Sequence, residues 1–196
     1  MPARNCNLMA VSNDKKERLV HAAMRLFYCR GFAATSLADL AKDSKVPVGN
    51  VYYYFKTKEQ LAEAVIAAYR EMIESWHKVA AAAPTPPQRL KIWLEKYAAM
   101  CVDLMDWGCP FGRLLVDFKQ QSGSLGDQAA DLYLVILDWV ENQFAAYPCA
   151  QAEARRRAQL LVSRAQGLSI LAVILEDKAT ILQRFAELEA FIDSPQ

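Results

Sequence analysis

Seven glycines and eight prolines interrupt the 196 residues, and this scarcity of breakers constrains the fold more than any other feature. The residues between them are dominated by Ala, Leu, Glu, Lys, Arg and Gln, which lose little rotamer freedom in a helix. Apolar positions recur every three to four residues between the breaks, the period of a helix with one buried face. An all-α chain of about nine helices is therefore predicted. With 54% hydrophobic and 23% charged residues, it should form a packed body, neither disordered nor fibrous.

The first helix is predicted from Asp14 to Arg30, with Leu19, Ala23, Leu26 and Phe27 on one apolar face and Gly31 as its stop. Ser36 and Asp39 have the spacing of a capping box, which opens a short helix over Leu37 to Ser44. Ser44, Lys45 and Val46 separate it from another short helix, Pro47 to Phe55, with Pro47 in a first turn that has no N–H partner to lose. Two short helices across a tight turn make a helix-turn-helix. Thr57 and Gln60 repeat the capping spacing and open a long helix to about Ala82, with Leu61, Val65, Ala68, Met72, Ile73, Trp76 and Val79 at roughly helical intervals. Pro84 to Pro87 end it. Further helices are predicted near Gln88 to Met105, Gly112 to Lys119, Asp127 to Ala146, Gln151 to Leu175 and Lys178 to Ile192, with breaks at Trp107 to Pro110, Ser122 to Gly126 and Pro148.

Charge divides the chain unevenly. Residues 12–60 hold nine Lys and Arg against five Asp and Glu, whereas residues 61–196 hold 13 against 17. A basic N-terminal module suits a polyanion, because neutralising phosphates releases counterions. A flexible tail over 1–11, a DNA-binding domain over 12–57 and a larger domain over 58–196 are expected. Cys6, Cys29, Cys101, Cys109 and Cys149 are odd in number and contain no C-x-x-C pair, so a disulfide framework is not expected. His21 and His77 lack metal-ligand spacing, so no metal and no cofactor are expected. The apolar runs are too short to span a bilayer, and the first residues lack a signal-peptide core. A cytoplasmic protein without a membrane partner is the resulting expectation.

The stretch FAATSLADLAKDSKV (Phe32 to Val46) followed by VPVGNVYYYFKTKEQL (Val46 to Leu61) closely resembles the DNA-binding signature of TetR-family transcriptional regulators. The resemblance is strong over about Lys15 to Leu61. It implies a three-helix N-terminal helix-turn-helix domain that binds double-stranded DNA, and a C-terminal domain that senses a small molecule and forms a homodimer. Carried over from the family, Tyr52, Tyr54 and Lys58 are expected on phosphates, with Thr35 and Ser36 clamping the backbone. Val48, Gly49, Asn50 and Tyr53 are expected at base edges or in the groove. Two positions depart from the family pattern: Lys45 stands where Gly is usual and Pro47 where Ser or Thr is usual. A non-glycine left-handed turn costs on the order of 1 kcal/mol, and Lys45 can add a phosphate contact. From the residues alone, the three tyrosines also admit a reading as half-buried packing groups; three in a row cannot all face one core.

By the resemblance, the last two helices form the dimer interface. The sequence offers Leu160, Leu161, Arg164, Gly167, Leu168, Leu171 and Ile174 there, a stripe that also reads as a buried central helix. Trp93, Tyr97, Met100, Trp107, Phe111, Phe118, Tyr133 and Trp139 are candidates for an aromatic effector cavity, with core packing as the equal alternative. Asp103, Asp117 and Arg113 are candidates for orienting a polar or charged ligand, with solvation at the surface as the favoured alternative. Cys109, in GCPFGRLL, loosely resembles the branch of the family that includes electrophile and oxidant sensors.

An enzyme is disfavoured: the chain has no G-x-S-x-G elbow, phosphate-cradling glycine loop or paired His–carboxylate motif. A helical adaptor that binds another protein through its exposed stripe stays open. The combined expectation is a repressor that binds a near-palindromic operator as a dimer and is released by a small-molecule effector.

Overall fold

The computed structural model describes residues 13–121, 123–147 and 151–194. Among these, nine helices follow one another: α1 Lys15–Arg30, α2 Leu37–Ser44, α3 Val48–Tyr54, α4 Lys58–Ala81, α5 Pro86–Asp103, α6 Pro110–Lys119, α7 Leu125–Ala145, α8 Gln151–Leu175 and α9 Lys178–Asp193. The tail expected over 1–11, Cys6, Cys149 and the break at Pro148 lie outside the described residues, as does Ser122.

Local chemistry sets the boundaries. The Asp14 carboxylate accepts from the N–H groups of Lys16 and Glu17 at 2.7 and 3.0 Å, satisfying donors that a helix start leaves orphaned. Gly31, at φ 90°, terminates α1 in a conformation that side chains resist. Ser36 and Asp39 form the reciprocal capping box that their spacing predicts. At Thr57 the expected box is only half formed: its hydroxyl accepts from Gln60 N–H at 3.2 Å, but the Gln60 side chain accepts from Lys56 N–H. Helix α5 begins two residues earlier than predicted, because Pro86 and Pro87 occupy its first turn and Thr85 forms the capping box with Gln88. Pro47 precedes α3 as its cap rather than sitting in its first turn.

The described chain forms two compact units, one comprising the residues up to Arg70 with Pro110–Leu132, the other Glu71–Cys109 with the residues from Tyr133 onward. This division differs from a boundary at 57/58, because part of α4 and all of α6 pack with the N-terminal helices. In the first unit, α1 packs against α2 and α6, and α2 against α3. Its core joins Leu19, Phe27, Phe32, Leu40, Val51 and Phe55 to Leu61, Val65 and Tyr69. Phe118 meets Phe32 edge-on at 5.2 Å, and Phe111 meets Tyr69 at 5.3 Å.

In the second unit α5, α8 and α9 pack together, burying Leu90, Trp93, Leu94, Tyr97, Leu161, Ala165 and Phe185. The α4 stripe differs from its prediction. The buried positions are Leu61, Ala62, Val65, Ile66, Tyr69, Ile73, His77 and Ala80, whereas Val79 is exposed; at 3.6 residues per turn the face drifts onto residues that apolar counting passes over. Helix α8 has the length and apolar composition to cross a bilayer, an exception to the expected shortness of apolar runs. Here it packs against α5 and α9 and buries Arg157.

Candidate nucleic-acid interface

Helix α3 has only seven residues, too few to be stable alone, so its placement depends on what it packs against. Val51 is 0% exposed and Phe55 follows it into the core one turn later. Anchoring by these two turns the opposite face outward: Val48 and Tyr52 are about half exposed and Tyr53 is 76% exposed. Gly49 faces open space, with nothing within 4 Å of where a Cβ would stand. Asn50 and Tyr54 are half-buried, and Tyr54 meets Tyr53 edge-on at 5.1 Å. The alternative in which all three tyrosines are packing residues does not describe Tyr52 and Tyr53.

Lys45, between α2 and α3, is exposed and holds the left-handed conformation at φ 55° and ψ 34°. Ser36 is also exposed, and its hydroxyl is committed to Asp39. That hydroxyl, with the Ser36 N–H, holds the Asp39 carboxyl below its ordinary range.

Two expected contacts need correction. Thr35 is 1% exposed, and its hydroxyl donates to the Gly31 carbonyl at 2.8 Å, so its side chain fastens the corner between α1 and α2 and presents nothing to a phosphate. The Lys58 ammonium donates to the Phe32 carbonyl at 2.9 Å and lies 4.2 Å from the centre of the Phe32 ring. It is tied down within its own module. The Lys58 commitment is not visible in the sequence, because Phe32 and Lys58 are 26 residues apart along the chain.

The effector candidates separate between the units. Phe111 and Phe118 are 0% exposed in the core of the first, where they pack against Tyr69 and Phe32. Arg113 is half-buried on the same helix, α6. In the second unit, Trp93 stacks on Tyr97 at 5.6 Å, and the Tyr97 hydroxyl donates to Gln166 Oε1 at 2.6 Å. Gln166 donates through Nε2 to the Tyr133 hydroxyl, 3.7 Å from Cys109 Sγ. Burial, reinforced by the neighbouring Cys109, pushes the Tyr97 hydroxyl well above its ordinary pKa. Met100 is buried and Trp107 is 41% exposed. The sequence reading passed over Gln166, whose signal would have been a polar residue on the inner face of α8. It also missed His77, which stacks on Trp139. Cys109 and Cys101 are both buried, and burial raises the Cys101 thiol pKa. Such surroundings disfavour the thiolate on which reactivity depends.

On α8 and α9, Arg164, Gly167, Leu168, Leu171, Arg184 and Leu188 line an open groove of 510 Å³. Ile170, Ile174 and Leu175 are exposed on the same helix. Leu160 is half-buried. Leu161 is 0% exposed within the chain, so it belongs to the core and is withdrawn from the interface candidates.

Residues 19–65 match the model of the bacterial regulatory proteins of the tetR family. The HTH-type transcriptional regulator LmrA of Bacillus subtilis is 25% identical over 175 residues, covering 86% of this chain and 92% of that protein. A TetR transcriptional regulator from Legionella pneumophila superposes with a TM-score of 0.81 at 22% identity, over 94% of this chain and 98% of that one. The regulator FadR from Bacillus subtilis, solved in complex with stearoyl-CoA, superposes with a TM-score of 0.72 at 14% identity, over 92% and 98% of the two chains. The family match and the outward face of α3 show that residues 19–65 carry the DNA-binding module of the tetR family of bacterial regulators, and nearly the whole chain is similar in sequence and fold to transcriptional regulators of that family.

Proposed function

We propose that the protein is a repressor that binds a near-palindromic operator as a homodimer and leaves it when a small molecule occupies the C-terminal domain. The observation that carries this reading is the division of α3 into a buried edge, Val51, and an outward face of Val48, Gly49, Tyr52 and Tyr53. A helix in a major groove needs such a face: Gly49 allows close backbone approach, Asn50 offers an amide to base edges, and tyrosine hydroxyls donate to phosphate. Lys45, Ser36 and Tyr54 flank it, and the excess of cations over residues 12–60 supplies the attraction.

The groove and exposed leucine and isoleucine side chains on α8 and α9 suit a second copy of the chain. A Cβ at Gly167 would meet nothing within 4 Å, so a partner helix can come close there. Paired recognition helices would then reach successive major grooves, roughly 34–36 Å apart.

The effector reading rests on the aromatic and hydroxyl-bearing set of Trp93, Tyr97, Met100, Tyr133 and Trp139 in the second unit, with Cys109 beside Tyr133. FadR, which shares the fold, holds an acyl thioester; here the effector class stays at a small molecule with apolar bulk and a hydrogen-bonding group. Release requires that the effector bind the non-DNA form more tightly, with α4, which contributes residues to both units, as the element that shifts.

Gel shifts of duplex from upstream of the protein's own coding sequence, run across a salt series, test the reading. Sequence-specific retention with steep salt dependence supports it, and binding indifferent to sequence at every salt refutes it.

A further inference from the structure

Helix α1 carries Arg18 and Arg25 two turns apart on one face, and both reach the last turn of α2. Arg25 donates to the Asp43 carboxylate. Arg18 donates from Nε to the Ser44 carbonyl at 3.0 Å and from Nη2 to the Lys45 carbonyl at 2.9 Å, with Nη2 also on Ser44. These carbonyls lie where a helix end leaves acceptors without intrahelical donors. They also flank Lys45, whose left-handed backbone is unfavourable for any residue with a Cβ.

We propose that Arg18 is a positioning residue for DNA binding: its guanidinium clamps the α2–α3 turn from behind, letting that turn carry an outward lysine where glycine would otherwise be needed. The proposal rests on the DNA-binding reading of Lys45 and α3. Glycine at 45 would relieve the backbone and lose the cation. The clamp keeps the cation and holds the turn through two carbonyls that a planar fork can engage together. Pro47 sharpens the requirement, since α3 has no side-chain cap of its own and takes its entry angle from the turn.

The test compares wild type with Arg18→Met, Arg18→Lys, Lys45→Gly and the Arg18→Met/Lys45→Gly double variant. Amide exchange in the free protein is read at Val46, Asn50 and Val51, whose N–H groups donate to Ala41 and Pro47 carbonyls. Arg18→Met should accelerate exchange at these amides by about tenfold or more, and weaken binding of the upstream duplex by a similar factor. Buried amides of α8 should not change. Arg18→Lys should resemble Arg18→Met, because an ammonium lacks the fork. Adding Lys45→Gly to Arg18→Met should restore protection to within about threefold while recovering DNA affinity only in part, since the cation is gone.

Wild-type protection in Arg18→Met or Arg18→Lys, or no restoration by Lys45→Gly, overturns the proposal. If Arg18→Met unfolds the whole module, Arg18→Lys decides on the same readout. Wild-type protein that ignores duplex at low salt refutes the DNA-binding reading instead, and the exchange data, which need no DNA, tell the two failures apart.

Discussion

The imidazole of His77 lies flat on the indole of Trp139, with centroids 4.4 Å apart and planes 3° from parallel. Its Nε2 is buried without a hydrogen-bond partner among the described residues. An aromatic face and no acceptor make a poor site for an imidazolium, and burial lowers the His77 pKa from 6.5 to about 4.

The sign of the resulting pH dependence follows from proton counting. Between about 4 and 6.5 the unfolded chain holds a proton on His77 that the folded chain does not, so stability rises with pH across this window and is lost as pH falls through it. The midpoint of thermal unfolding should drop on acidification from 6.5 towards 4, and His77→Phe, which keeps the stack, should flatten that decline. An equal decline in wild type and variant would show that other groups dominate.

The position of Lys58 separates two effects that a basic residue near DNA can have. Because its ammonium holds the Phe32 carbonyl and ring, Lys58→Met should lower the stability of the helix-turn-helix unit by about 1–3 kcal/mol. Exposed Lys45 behaves differently: Lys45→Ala should weaken all duplexes alike and reduce the salt slope by about 1. Asn50→Ala should instead narrow the gap between operator and unrelated DNA by about 1–3 kcal/mol. Denaturant titration and binding isotherms at several salt concentrations distinguish the three. A Lys58 variant of wild-type stability with a flattened slope would return that residue to the phosphates.

What was legible in the sequence is mostly what lies within one turn of helix. Asp14, Ser36, Gly31 and the apolar spacing of α1 fixed local boundaries because their partners are two to four residues away. The outward face of α3 was legible as well, since Val51 and Phe55 are one turn apart. Contacts across the chain were not. Lys58 turns inward onto the Phe32 carbonyl, 26 residues back, and the Phe32 N–H is taken by Asp117, 85 residues on. Aromatic content suggested a cavity but could not say which rings share a unit. The α5 start was misplaced because prolines that end one helix also open the next, their missing N–H groups being spare in a first turn.

Phe118 illustrates the consequence. It is 0% exposed and meets Phe27 and Phe32 edge-on at 6.4 and 5.2 Å, so Phe118→Ala should cost about 3–5 kcal/mol in stability. The loss should fall on the DNA-binding unit: exchange at amides of α1 should quicken while those of α8 and α9 hold. An effector candidate would do the reverse, changing ligand affinity with little effect on α1. Calorimetry with a bound effector and amide exchange without it would tell which describes Phe118.

Ile174 is 66% exposed and Leu171 is 42% exposed, whereas Leu161, on the same helix, is 0% exposed. A carboxylate at either exposed position stays hydrated in a single chain, but among the leucine and isoleucine side chains of an interface it must be desolvated, which costs several kcal/mol. Leu171→Asp and Ile174→Asp should therefore leave the unfolding of the chain nearly unchanged at low concentration while shifting sedimentation from dimer to monomer. Leu161→Ala should act the other way, lowering the stability of the chain itself by about 2–5 kcal/mol through a core cavity. Loss of the dimer should also weaken operator binding, because each recognition helix then engages its half-site alone and the intramolecular advantage of the second is lost. Aspartate variants that sediment as the wild type does would move the pairing surface off this face of α8.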